Sequence, residues 1–190
     1  MKVSPLKLVP PKGKAGDVGV ADMEALALVA RGDVGALGTL YDRHARALLA
    51  FAARSVGAAD AEDLVQATFV RAARAAASFD GRSSNARAWL FGITARLVQE
   101  RRRSFARLAR ALLRSDVSVP STSSDEARTD LQKGLFRLSE AKRVVLLLAE
   151  VEGFRCEEIA TMLGIPVGTV WTRLHSARQE MRAFYEEKSR

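Results

Sequence analysis

The sequence predicts an all-α fold, two helical domains joined by a flexible linker. Three observations carry that expectation. Apolar residues recur three or four apart over most of the chain, the spacing of one helix face. Strand signals are scarce throughout. Near residues 115–125 the Ala-, Leu- and Arg-rich composition gives way to Ser, Thr, Pro and Asp, which is linker chemistry.

Residues 1–21 read as a flexible basic tail. Pro5, Pro10, Pro11, Gly13, Gly16 and Gly19 interrupt any regular element. Helical periodicity begins near Asp22. A first strong helix is predicted over 34–55, with Leu37, Leu40, Tyr41, Leu48 and Phe51 on its apolar positions and Gly57 as its end. Asp60 is expected to cap the next helix, with Asp63 three residues later in a capping-box-like arrangement. That helix runs to about residue 77 and carries Leu64, Thr68, Phe69 and Ala72 on one side. Residues 79–84 form a loop. Ser83 or Ser84 then caps a third helix, whose apolar face is Trp89, Leu90, Ile93 and Leu97 and whose end is the basic run Arg101-Arg102-Arg103. Residues 104–114 can extend it. The predicted organisation is a tail over 1–21, a first domain over 22–104, a linker over 105–128 and a second domain over 129–190.

The chain has 190 residues, with 30 Lys and Arg against 22 Asp and Glu, a net charge of +8 and a pI near 10.2. Such an excess favours a polyanionic partner, most simply nucleic acid; a merely soluble basic protein fits the charge equally well. A single cysteine, Cys156, excludes an internal disulfide and a Cys-rich zinc site. His44 and His175 are the only histidines, so neither a metal nor a cofactor is expected. The N-terminus has lysines, but prolines and glycines stand where a signal peptide needs an apolar segment. No run of about 18 apolar residues is present to span a membrane. The cytoplasm is the expected compartment.

The second domain carries the sharpest local signal. Leu135, Leu138 and the run Val144-Val145-Leu146-Leu147-Leu148 form an apolar helix that ends at Gly153. A short helix, Glu157 to Leu163, follows. Gly164 closes it, where a left-handed residue is needed. Ile165 plugs the turn, Pro166 forbids continuation, and a new helix begins near Gly168 or Thr169. Val170 and Leu174 lie on its inner face, while Ala160 is small where the helices cross. These features outline a helix-turn-helix whose second helix enters the major groove; an ordinary helical hairpin is the plainer alternative. Arg173, Arg178 and Arg182, with Thr172, His175, Ser176 and Gln179, suit phosphates and base edges.

At this point the motifs reach a family. The segment Asp60-Ala61-Glu62-Asp63-Leu64-Val65-Gln66-Ala67-Thr68-Phe69, then Ala88-Trp89-Leu90, Glu152-Gly153-Phe154, Ile165-Pro166-Val167-Gly168-Thr169-Val170 and Arg173-Leu174-His175 resemble bacterial RNA polymerase sigma factors of the sigma-70 family. The extracytoplasmic-function (ECF) type, with two conserved domains, is the most similar group. The resemblance covers roughly residues 34–104 (region 2) and 129–186 (region 4).

The resemblance implies a transcription initiation factor without catalysis of its own. Its partners would be core RNA polymerase, met at the β′ clamp by region 2 and at the β flap by region 4, and promoter DNA. An anti-sigma factor, commonly in the membrane, would hold it inactive. Asp63 and Gln66 match the polymerase-docking motif and lie about one turn apart, so both can face one partner; Ala67 stands where the family often has Glu. The loop containing Asp80, Gly81, Arg82, Ser83 and Ser84 matches the segment that captures an unstacked base of the −10 element, with Arg87, Arg96 and Arg101 tracking the backbone. Arg96 replaces a common Asn. Thr169, Trp171, Thr172, Arg173, His175, Ser176 and Arg178 form the −35 reader. Trp171 and Ser176 replace basic residues frequent in the family, so guanine contacts of the Arg kind are absent there. Trp171 can instead press on a thymine methyl or a sugar, or pack against polymerase. Cys156 stands where an aromatic is frequent. Two other readings fit parts of the sequence: a helix-turn-helix regulator that does not replace sigma, and a sigma-like interaction protein. The docking helix around Asp63 argues against the first of these.

Overall fold

The computed structural model describes residues 15–79, 85–112 and 129–189. Among these residues there are helices and no strand. The N-terminal half is α1 (Ala15–Ala30), α2 (Val34–Val56), α3 (Ala58–Ala75) with a 3-10 turn at Ala76–Ser78, and α4 (Ala86–Leu112). The C-terminal half is α5 (Asp130–Arg137), α6 (Glu140–Leu146), which continues as a π-helical turn over Leu147–Val151, α7 (Cys156–Leu163) and α8 (Val167–Lys188).

Local chemistry sets most boundaries. Asp33 caps α2, its Oδ1 accepting from the amides of Gly35 at 2.9 Å and Ala36 at 3.3 Å, which satisfies donors that the helix cannot. Gly57, at φ 103°, ends α2 and lets α3 leave immediately. Asp60 therefore does not cap α3 as expected. It sits in the first turn, where a carboxylate still complements the helix dipole. The cap expected for the third predicted helix also differs: Asn85 Oδ1 accepts from the Ala88 amide at 2.7 Å, and Ser83 and Ser84 lie outside the described residues. Helix α1 starts at Ala15 rather than near Asp22. Gly16 and Gly19 do not interrupt it, since a glycine inside a helix costs only about 1 kcal/mol. Helix α4 runs on to Leu112, taking in most of the amphipathic stretch that follows the basic run. Thr129 and Gln132 form a reciprocal capping box at the start of α5.

Leu40, Leu48, Phe51, Leu90, Phe91 and Val98 fill the N-terminal core, each at most 1% exposed. The rings of Phe51 and Phe91 meet edge-on at 5.4 Å. Helix α1 is pinned to α2 by buried Asp22, which accepts from Arg43 at 2.9 Å and contacts His44 Nε2 at 2.7 Å. In the C-terminal half Val144, Val145, Leu148, Ile159, Val170 and Ala177 are fully covered.

The two halves share one core. Phe91 of α4 meets Phe154, just before α7, edge-on at 5.4 Å. Helix α4 packs on α7, and a Cβ at Gly92 would stand 3.5 Å from Met162 Cβ. Arg143 of α6 is buried and donates to the Ser55 carbonyl at the end of α2 at 2.6 Å. No described helix is long and apolar enough to cross a membrane.

Candidate nucleic-acid interface

The helix-turn-helix geometry follows from the residues that bracket the turn. Gly164 has φ 64° and ψ 40°, the left-handed conformation that closes α7. Its own side-chain-free backbone allows this at least cost. Pro166 then precedes α8, whose first residue is Val167. Ile159, Leu163, Val170, Leu174 and Ala177 pack together inside, so the opposite side of α8 is left to solvent.

That outer side carries Trp171, 56% exposed, with Thr172, His175 and Arg178 also exposed. At 3.6 residues per turn, Trp171, His175, Arg178 and Arg182 fall on one stripe. Arg182 belongs to this stripe, and its spacing of four from Arg178 is the signal that places it there. Thr169, Arg173 and Ser176 are partly covered and lie toward the flank. The Thr172 hydroxyl donates to the Gly168 carbonyl at 2.9 Å and Ser176 to Glu180 at 3.2 Å. Arg178 donates from both Nε, at 2.8 Å, and Nη2 to a single oxygen, Glu150 Oε1. A phosphate must displace that carboxylate to recruit Arg178.

On α3, Asp63 and Gln66 are both exposed on one face, and Ala67 and Val70 extend it. Val70 is 51% exposed, an apolar patch flanked by polar groups, the anatomy of a protein contact. Its position seven residues after Asp63 is the periodic signal that marks it. Arg71 and Glu100 cross from α3 to α4 with two 2.9 Å hydrogen bonds.

The third candidate group is divided. Asp80, Gly81, Arg82, Ser83 and Ser84 lie outside the described residues. Arg101 is exposed and pairs with Asp60. Arg96 donates from Nε to the Met162 carbonyl of α7 at 3.1 Å. Arg87 binds Glu152 Oε2 at 2.7 Å and the Glu152 carbonyl at 3.2 Å. Its guanidinium stacks on Phe154 at 4.5 Å and Phe91 at 4.9 Å. Two of the three arginines thus face the C-terminal half.

Burial pushes the Glu152 carboxyl up, against the opposing pull of Arg87 and Arg54. The neutral form is the one the fold prefers, so this group's contribution is greatest below the ordinary glutamate range and declines as pH rises through the elevated value. Removing the charge and removing its partner are then unequal. Glu152→Gln is expected to change stability at neutral pH by less than about 1 kcal/mol, whereas Arg87→Ala strands a buried carboxylate and costs about 2–3 kcal/mol. Thermal unfolding of both variants checks this; equal losses would contradict it.

An all-α chain with an exposed polar face on α3, a long basic helix and an outward helix-turn-helix has the build of a DNA-binding transcription protein. The family comparison is specific. The Sigma-70 region 2 profile matches residues 40–115 and the Sigma-70, region 4 profile matches 128–181. The ECF RNA polymerase sigma factor SigL of Mycobacterium tuberculosis is 37% identical over 78% of this chain and 88% of its own length. The RNA polymerase sigma factor NccH of Alcaligenes xylosoxydans is 36% identical over 86% of this chain and 94% of its own. The solved structure of CnrH in complex with the cytosolic domain of CnrY superposes with a TM-score of 0.64 at 30% identity, covering 88% of this chain and 98% of that one. The sigma factor RpoE, solved with the anti-sigma factor NepR from Bartonella quintana, gives a TM-score of 0.63 at 30% identity, with coverage of 78% and 96%. The chain belongs to the extracytoplasmic-function sigma factors of the sigma-70 family, and its function is transcription initiation.

Proposed function

We propose that this factor binds core RNA polymerase through the α3 face of Asp63 and Gln66, on the β′ clamp, and through region 4 on the β flap. The observation that carries this reading is the pair of outward faces, one on α3 and one on α8, on a chain that matches region 2 and region 4 in order. Residues 15–112 act as region 2 and residues 129–190 as region 4, with 1–14 as a basic tail and 113–128 as the linker between them. The segment 80–84, with Arg87, Arg96 and Arg101, takes the melted −10 strand. Thr169, Trp171, Thr172, Arg173, His175, Ser176 and Arg178 take the −35 duplex. The factor performs no catalysis itself and works in the cytoplasm. An anti-sigma factor is its regulatory partner, as it is for the similar RpoE.

Trp171 sets the −35 preference on this reading. Its exposed indole favours a thymine methyl over a guanine edge. Selection of promoter fragments by the reconstituted holoenzyme tests this. Trp171→Arg is expected to move the selected −35 motif toward guanine; the same motif from both proteins would overturn the role. Arg173→Ala and Arg178→Ala are expected to weaken binding on all sequences. Each should also lower the salt slope by about 0.9. An unchanged slope in a salt titration would remove them from the phosphate contacts.

A further inference from the structure

We propose that Glu150 is a competitor for DNA phosphate built into the −35 reader, a carboxylate that sets how strongly the reader grips duplex DNA of any sequence. The inference rests on the functional reading above, in which Arg178 meets the phosphate backbone. Its first support is what Arg178 holds. The Nε and Nη2 donors of its guanidinium both point at Glu150 Oε1, with Nε at 2.8 Å. Among the described residues Arg178 makes no other hydrogen bond. The donor edge that meets this carboxylate is the edge that meets a phosphate oxygen, so the two anions exclude each other.

The second support is how Glu150 comes to stand there. It does not belong to α8. It lies within the π-helical turn Leu147–Val151 that continues α6. The Glu152 amide closes that turn on the Leu147 carbonyl, five residues back, at 3.0 Å. Such turns are rare, and they occur frequently at functional sites. Here α6 packs against α8, and the wider turn carries Glu150 to the exposed stripe of Trp171, His175, Arg178 and Arg182. On the opposite flank of α8 the polarity is reversed. Lys142 of α6 pairs with Glu180 of α8, so the acid there takes no arginine from the reader.

The third support is exposure. The side chains of Arg178 and Glu150 are 51% and 46% exposed. A pair this open is screened by water and weak, so it yields to a phosphate. A buried pair would lock Arg178 away, and an arginine without a partner would grip any duplex at full strength. Once displaced, the carboxylate stays beside the phosphate and repels it. Phosphate contacts carry no sequence information. Glu150 therefore weakens binding to all duplexes alike and leaves discrimination to Trp171, Thr172 and His175.

A double-mutant cycle on the full-length chain tests this. Wild type, Glu150→Gln, Arg178→Ala and Glu150→Gln/Arg178→Ala are compared by fluorescence anisotropy at one low salt concentration. The probes are a duplex carrying the selected −35 element and an unrelated duplex of equal length. Glu150→Gln is expected to bind both duplexes about threefold to fivefold tighter, the scale of an exposed ion pair, with their ratio unchanged. In the Arg178→Ala background the same substitution should change affinity by less than about 1.5-fold, because the two residues act as one unit. Glu187→Gln removes an equal charge from a pair with Arg137 near the end of α8 and should leave binding as it is. Unchanged or weaker binding by Glu150→Gln would overturn the inference, and weaker binding is what a mere staple between α6 and α8 would give. A gain that persists without Arg178, or that Glu187→Gln reproduces, would also overturn it, since net charge alone would then explain the gain. If Arg178→Ala itself binds both duplexes like wild type, the phosphate assignment of the functional reading fails, and the competitor role falls with it.

Discussion

Replacing Asp63 and Gln66 together by alanine is expected to lower affinity for core RNA polymerase by about 100-fold. Both side chains are exposed on α3, one turn apart, beside the uncovered apolar patch of Ala67 and Val70. Polar groups flanking a small apolar patch make a compact interface centre, where truncation of a key residue costs about 2 kcal/mol or more. Two losses of about 1.4 kcal/mol each already give 100-fold. The fold itself should be indifferent, because substitutions at exposed helix positions usually change stability by less than about 0.5 kcal/mol. Co-elution with core polymerase on a sizing column, alongside a thermal melt, separates the two effects. Wild-type affinity in the double variant would remove this face from the docking surface.

The largest stability effect is expected at Arg143. The Arg143→Ala variant should lose about 4 kcal/mol. The guanidinium is buried, with the residue 8% exposed. It donates to the carbonyls of Leu135 at 2.9 Å, Ser55 at 2.6 Å and Leu138 at 3.1 Å, and its plane lies over the Phe136 ring at 4.1 Å. These carbonyls cluster at the ends of α2 and α5, where helix dipoles present negative charge. Deleting the donor leaves several buried acceptors without it, at about 1–3 kcal/mol each. Arg143→Lys recovers little, because one ammonium cannot span the fork. Urea unfolding measures the loss, and a change below about 1 kcal/mol would contradict the role.

The contrast between Gly164 and Arg143 shows what the sequence could disclose. Gly164 followed by Ile165 and Pro166 is local grammar, and its left-handed turn was legible. So were the core positions Val170 and Leu174, because 3.6-residue periodicity encodes a buried face. The outward face of α3 that carries Asp63 and Gln66 was legible for the same reason. Arg143 was not: nothing around it distinguishes a buried arginine from a solvated one in a charged helix. Its partners are carbonyls, which every residue has. The charge of Arg87 and Arg96 points to DNA, but the C-terminal half that they touch is more than fifty residues away in sequence. Gly92 gave no signal either, since a glycine within a helix marks a close approach only once the neighbour is known. Asp60 shows a smaller failure. An acidic residue near a helix start fits both a cap and a first-turn position, and Gly57 decided between them.

Run-off transcription with purified core polymerase tests the central claim most directly. The template is a fragment selected by the holoenzyme. A discrete transcript is expected only when this chain is added, and its yield should fall with Asp63→Ala/Gln66→Ala in step with polymerase affinity. A folded chain that binds polymerase yet yields no start-specific transcript would contradict the account.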